Sequence, residues 1–293
     1  MPNAAPLPGA LVIMLAKSAS RAVIRAALAA TFCLLLSAAA QAALGDAASK
    51  LPGPLTGEQI VDRSVEVRGG LEAWRKIGTI IWAGHLESER SAVPKLPFEL
   101  KEKRPGKSRF EITEPAHRSL RVFNGVGGWK MRMGEDGRPD VKPLTAQEVR
   151  FARSAPGLEG PLIDYRAKGS RVALEGTEDL DGRPNYRIGV TLLDGEHQTV
   201  WIDAQSFLES RFDRTAYGPT GPKGVVSVRY RDYKEIGGLA LPSVLEISGA
   251  AAVKPDRMVI DRVALNPVIE DREFQGSGNT RDRSAAELGV ASK

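Results

Sequence analysis

From Thr79 onward the hydrophobic positions recur every second residue. Ile80, Trp82 and Leu86 alternate with smaller or polar neighbours, as do Phe98 and Leu100, Phe110 and Ile112, Leu120 and Val122, and Trp129, Met131 and Met133. A period of two predicts strands with one buried face. Turn chemistry separates them at Pro94, Arg104-Pro105-Gly106, Asn124-Gly125 and Glu135-Asp136-Gly137. That makes five strands over residues 79–134. The alternation stops over 143–168, where Leu144 to Arg153 is helical in character and Pro156-Gly157 and Gly160-Pro161 interrupt it. This insertion, taken as residues 145–166, is expected to lie across a sheet as a lid. Strands resume at Arg171, and further runs follow from Tyr186, His197, Phe207, Gly224, Leu241 and Arg257. The expected total is about eleven strands, nearly all joined by hairpins and therefore antiparallel.

Ahead of the strands the period is that of a helix. Thr56-Gly57-Glu58-Gln59 has the form of a capping box, and Ile60, Val61 and Val65 follow it. Arg68-Gly69-Gly70 interrupts, a second helical turn runs from Leu71 to Ile77, and Gly78 stops it.

The first 42 residues read differently. Lys17, Arg21 and Arg25 precede or enter an apolar stretch that is densest from Ala26 to Leu36, and Ala40-Gln41-Ala42 follows as a small-x-small site. Basic start, short apolar core and cleavage site together define a secretory signal, cut after Ala42. Met14 gives a better-proportioned signal than Met1. Cys33, the only cysteine, leaves with this segment, so no disulfide is expected in the mature chain. Removal of the signal lowers the formal net charge from +5 to +2. No basic stripe with interleaved aromatics remains, and no nucleic-acid partner is implied. Residues 43–55 read as a linker, 56–274 as one domain, and 275–293, small and polar, as a disordered tail.

Motifs for catalysis are missing from the sequence. It has no G-x-S-x-G, P-loop, H-E-x-x-H or cysteine pair, so the expectation is a protein that is not an enzyme and uses no cofactor. His85, His117 and His197 lie on separate segments without ligand-like spacing and read as strand-face or exposed histidines, with no metal site. Asp179, Asp181 and Asp194 read as turn residues. Gly125-Val126-Gly127-Gly128 is flanked by strands and reads as a hairpin.

The aromatic set Trp82, Phe98, Phe110, Trp129 and Phe207 has two readings: core packing, or one sheet face that lines an apolar cavity. In the second reading Trp82, Phe98, Leu100, Phe110, Trp129 and Met131 line the hollow. Met131 and Met133 suit adaptable apolar contacts.

Three stretches carry a resemblance. Trp201-Ile202-Asp203-Ala204-Gln205-Ser206-Phe207-Leu208-Glu209-Ser210-Arg211 is a strand, tight turn and strand. It resembles a hairpin of the outer-membrane lipoprotein-sorting (LolA-like) superfamily of periplasmic proteins. Tyr230 to Pro242 resembles that superfamily's late hairpin, which turns through glycine and restarts at a proline. Phe123-Asn124-Gly125-Val126-Gly127-Gly128-Trp129 is similar to its central turn. The match covers most of residues 56–274. It implies an incompletely closed, roughly eleven-stranded antiparallel barrel wrapped around helices, with lipid or acyl chains in the hollow. Lipid or an acylated lipoprotein is the partner that the resemblance implies. A membrane-protein partner, docked by an envelope sensor that carries no lipid, is the alternative.

Overall fold

The computed structural model describes residues 54–276 except 90, 114–117, 135, 219–220 and 250–253. The signal segment with Cys33, most of the linker, His117 and residues 277–293 lie outside the described residues.

The chain opens with α1 (Gly57–Val67), and its capping box forms as the sequence implies. The Thr56 amide donates to Gln59 Oε1 at 2.9 Å, and the Gln59 amide donates to Thr56 Oγ1 at 3.3 Å. Ile60, Val61 and Ser64 fall on one helix face and are buried. The helix ends at Gly69, whose φ of 110° is open to glycine. A side chain there would meet the Gly238 carbonyl oxygen at 2.4 Å, so the loop before α2 (Leu71–Arg75) packs backbone to backbone.

Thirteen strands then form one antiparallel sheet. The first six are β1 (Thr79–Glu87), β2 (Leu96–Lys103), β3 (Lys107–Thr113), β4 (Arg118–Phe123), β5 (Gly128–Met133) and β6 (Pro139–Pro143). After α3 (Ala146–Arg153) come β7 (Arg171–Leu180), β8 (Arg183–Thr191), β9 (His197–Asp203) and β10 (Glu209–Gly218). Then follow β11 (Gly221–Ile236), β12 (Leu239–Ser248) and β13 (Asp256–Leu265), and a 3-10 turn over Asp271–Phe274. The order across the sheet is β6-β5-β4-β3-β2-β1-β13-β12-β11-β10-β9-β8-β7. Two hairpin-linked meanders thus meet where β1 pairs with β13. β6 and β7 are the two edges, and the sheet is not closed. At the seam the register shifts between Ala83 and Gly84, with Asp261 of β13 as the extra, bulged residue. A side chain at Gly84 would sit 1.9 Å from the Val259 carbonyl oxygen, so this close approach requires glycine.

The mainly β, open antiparallel architecture follows the period-two pattern, with thirteen strands where about eleven are expected. β6 is the strand that this pattern hides. All five of its residues are exposed and prolines stand at both ends, so the short alternation Pro139-Asp140-Val141-Lys142-Pro143 reads as a loop rather than a strand with a buried face. The turns match their chemistry. Asn124 Oδ1 accepts from the amides of Val126 and Gly127 at 3.0 and 2.9 Å, and Asp179 Oδ1 accepts from the Gly182 amide at 2.7 Å. Asp194 Oδ1 accepts from the Glu196 amide at 3.0 Å. Asp181 sits in its turn at φ 56° and also gathers Arg229 and Arg231 at 2.8 and 2.7 Å.

Candidate ligand-binding face

Residues directly opposite in an antiparallel ladder share a face. One face of the sheet carries α1, α2 and the 144–170 insertion, and is called here the inner face. Its packing differs between the two meanders.

In the second meander, Ile188, Val200, Phe212 and Val228 form one row across β8 to β11. Ile188, Val190, Val200, Ile202 and Phe212 are buried, packed with Ile60 and Val61 of α1 and with Leu162 and Tyr165 of the insertion. In the first meander, Ile80, Trp82 and Phe98 are buried with Trp74 of α2 and with Leu158 and Ile163 of the insertion. Beyond them, and across the seam on β12, the cover runs out. Leu86, Leu100, Phe110, Ile112, Leu245 and Ile247 pack against this cluster but remain only partly buried. They are contiguous: Trp82, Leu100 and Phe110 form one row, Phe98 and Ile112 the next, and Leu86, Met258 and Leu245 another. The Phe98 and Phe110 rings lie tilted with centroids 5.9 Å apart.

Four of the six residues expected to line the hollow, Trp82, Phe98, Leu100 and Phe110, therefore share the inner face. Trp129 and Met131 do not. Trp129 lies opposite Val122, in the row that continues through Arg109 and Lys101 to Ile81 on the other face. There Leu120, Val122 and Trp129 are buried under Ile269 and Phe274, with Met131 packed against them. Trp129 Nε1 donates to the Gln275 carbonyl at 2.8 Å. A cleft of about 370 Å³ runs beside this contact, lined by Trp129, Val141, Pro143 and Phe274. The correction is one of phase. Each strand alternates as its sequence predicts, but Leu120 and Val122 of β4 and Trp129 and Met131 of β5 point outward, whereas Trp82, Phe98, Leu100, Phe110 and Ile112 of β1 to β3 point inward. Phe207 lies apart from both groups, stacked on Tyr186 with centroids 6.0 Å apart.

Ionic groups hold the insertion in place. Glu159, buried, lies 3.1 Å from Arg104 and 2.7 Å from Lys168. Arg75 donates to both oxygens of Asp164 at 2.9 and 3.0 Å. Arg68 and Glu209 form a buried pair at 2.5 Å, with the Arg68 guanidinium 4.8 Å over the Trp74 ring. Tyr233 Oη donates to the Glu209 carbonyl at 2.9 Å. Glu102 accepts from Trp82 Nε1 at 3.0 Å. Burial pushes its carboxyl up to about 7, and the nearby Glu159 charge adds to the shift against the opposing Trp82 hydrogen bond.

α3 crosses from one meander to the other. At its start, Thr145 and Glu148 form a second capping box. Glu148 Oε1 also accepts from Arg121 of β4 at 3.1 Å and from Lys130 of β5 at 2.8 Å. Burial works against the Glu148 charge, but the hydrogen bonds from Lys130 and Thr145 and the charge of Arg121 outweigh it and leave its carboxyl below the usual value. At its end, Phe151 accepts from Arg214 of β10 at 2.7 Å, and Ser154 accepts from Gln198 of β9 at 2.8 Å. Burial lowers the Arg214 guanidinium to about 10, so it stays charged at neutral pH. None of the α3 residues is fully buried, so polar contacts anchor this helix.

These ionic partners were not foreseen from sequence. Thr145-x-x-Glu148 was the one available signal, having the spacing of a capping box. Arg68, Glu209 and Glu159 are isolated charges whose partners are brought to them by the fold. His85 on β1 and His197 on β9 are separated by four intervening strands. His85 pairs with Asp261 at 3.1 Å, and His197 with Glu175 at 3.2 Å. Among the described residues no group of three or more His, Cys, Asp or Glu is placed to hold a metal ion.

No family model matches the chain, and no curated protein matches it. Solved structures do. One is described as an outer membrane lipoprotein-sorting protein domain from Vibrio parahaemolyticus, 14% identical with a TM-score of 0.49, covering 74% of this chain and 95% of that one. A LolA superfamily protein from Nitrosomonas europaea is 17% identical with a TM-score of 0.49, covering 76% and 99%. A DUF1329 family protein from Desulfovibrio piger is 12% identical with a TM-score of 0.49, covering 75% and 98%. These are distant likenesses, and the reading of the inner face rests on its own geometry.

Proposed function

We propose that this chain is an exported periplasmic protein that binds or carries lipidic or acylated ligands and performs no catalysis. The signal is cut after Ala42, and residues 56–274 act as one binding domain. The observation that carries the reading is the patch of partly buried apolar side chains on the inner face: Leu86, Leu100, Phe110, Ile112, Leu245 and Ile247. Each buried methylene of a ligand contributes roughly 0.8 kcal/mol, so an acyl chain laid on this floor gains by leaving water. The insertion over 145–166 covers the deeper end of the face at Trp82 and Phe98, and ligand entry requires part of it to move.

The test is native mass spectrometry of residues 43–293 purified from the periplasm without detergent, followed by lipid extraction. The expected result is a co-purifying acylated ligand at near-stoichiometric level, and a Phe110→Asp variant that stays folded but loses about tenfold or more of it. A wild-type protein that arrives empty and takes up no fluorescent fatty acid would overturn the reading.

A further inference from the structure

The polarity of the sheet inverts between β3 and β4. On β2 and β3 the inner face carries Phe98, Leu100, Phe110 and Ile112, with Glu102 and Ser108 at one end, and the outer face carries Glu99, Lys101, Arg109 and Glu111, which lie opposite one another in register. On β4 and β5 the outer face carries Leu120, Val122, Trp129 and Met131, and the inner face carries Arg121, Lys130 and Arg132. Arg121 lies directly opposite Phe110, and Ser119, the partner of Arg132, lies directly opposite Ile112. The partly buried apolar floor thus runs without interruption into a basic strip. Lys142 of β6 extends the strip opposite Lys130, and Asp140, opposite Arg132, is its acidic member and lies 2.6 Å from Lys142.

Charged residues near a sheet edge also guard against edge-to-edge pairing. Inward-pointing charges serve that role too, so their face alone does not decide what they do. Here the cations lie on the one face that is apolar in the adjoining strands. They also already hold a carboxylate: Glu148 Oε1 sits between Arg121 and Lys130 at 3.1 and 2.8 Å. Capping alone would need only the other oxygen, Oε2, which the Thr145 amide reaches at 3.0 Å. The strip therefore has the geometry to receive one anionic oxygen from two cations.

We propose that Arg121, Lys130 and Arg132 form the headgroup site of an anionic amphiphile whose tail lies on the Phe110 and Ile112 floor, and that Glu148 of α3 competes with that headgroup for Arg121 and Lys130. The inference rests on the lipid-binding reading and narrows it to ligands with an anionic head. Displacement of Glu148 releases the α3 start from β4 and β5 while Arg214 and Gln198 keep its end on β9 and β10. The headgroup thereby frees the start of α3 from the first meander.

The experiment compares two ligands with the same tail, dodecyl phosphate and the uncharged dodecyl maltoside, and adds inorganic phosphate alone. Binding is measured by calorimetry below the micellar range on residues 43–293. Wild type is expected to bind dodecyl phosphate about tenfold more tightly than dodecyl maltoside. The Arg121→Gln/Lys130→Gln variant is expected to bind both equally while keeping its affinity for the maltoside. Glu148→Gln, which removes the competitor and preserves the capping hydrogen bond acceptor, is expected to tighten dodecyl phosphate about threefold or more and leave the maltoside unchanged. Inorganic phosphate alone is expected to bind far more weakly than dodecyl phosphate. Equal wild-type affinities for the two amphiphiles, or a double variant that still discriminates, would overturn the headgroup site and leave the lipid-binding reading standing. Equal affinities of inorganic phosphate and dodecyl phosphate would also overturn it, since the tail would then contribute nothing. Binding of neither amphiphile would overturn both. An unchanged preference in Glu148→Gln would remove the competition but keep the site.

Discussion

β8 to β10 and β1 to β3 are built from the same alternating pattern, yet they treat their inner faces in opposite ways. In β8 to β10 the row Ile188, Val200 and Phe212 is buried beneath Ile60, Val61, Leu162 and Tyr165. In β1 to β3 the row Trp82, Leu100 and Phe110 starts beneath Trp74, Leu158 and Ile163, and then runs out from under them. The difference comes from where the helical cover is placed. α1 and the end of the insertion lie over the second meander, and only α2 and a few residues of the insertion reach the first. An alternating strand has one apolar face to bury. Where the chain supplies a partner, that face is core. Where it does not, the face is left for something else.

The largest effect expected from this contrast is a pair of matched substitutions. Phe212→Asp buries a carboxylate without a partner in a packed layer, and is expected to cost about 4 kcal/mol or more and to abolish cooperative thermal unfolding. Phe110→Asp, on the partly buried floor, is expected to retain a cooperative transition and lose ligand instead. If both unfold the protein, or neither does, the distinction between the meanders fails.

The second prediction probes how α1 is tied to the packed meander. Glu209→Ala leaves the buried Arg68 guanidinium without its carboxylate, and is expected to cost about 3 kcal/mol in denaturant unfolding. The exposed pair of Arg166 and Asp62, 61% and 60% accessible, provides the control: Asp62→Ala is expected to change stability by less than about 0.5 kcal/mol. Equal effects would mean that the Arg68–Glu209 pair is not desolvated as its burial implies.

The smallest effect belongs to Glu102, beside the floor. Its folded value of about 7 lies above the ordinary 4.5. Between those values the folded state keeps a proton that the unfolded state has released. Stability therefore falls as pH rises through this window and levels off above it. Glu111, Glu148 and Asp164, held below their ordinary values, act at and below the usual carboxylate range and leave this window to Glu102. Glu102→Gln is expected to remove a fall of about 2 kcal/mol between about pH 5 and about pH 8, measured by urea unfolding. A wild type with no such fall would mean that water reaches this carboxylate freely.

Much of the fold was legible along the chain, and for local reasons. The Thr56–Gln59 capping box, the Asn124 and Asp179 turns and the alternation within each strand depend on residues a few positions apart. Their chemistry therefore reads directly from the sequence. Trp82, Phe98, Leu100 and Phe110 share one face because they sit on consecutive hairpins in unbroken register. Trp129 and Met131 lie on the other face. Period two states which residues of one strand share a face, but it leaves open which way that face points in the next strand. β6 is hidden because it is short, wholly exposed and bounded by prolines, which disguise its alternation as a loop.

The sequence by itself thus determined a mainly β chain with a capped leading helix, hairpin connections and a helical insertion. Each of these rests on interactions within a few residues. Only the tertiary structure decided the phase of β4 and β5, the union of β1 with β13, and the placement of Glu148 between Arg121 and Lys130. It also decided that Leu158, Leu162, Ile163 and Tyr165 of the insertion serve as core. Those outcomes depend on groups far apart in the chain, whose encounter is set by how the sheet buries its apolar faces against a limited supply of helix.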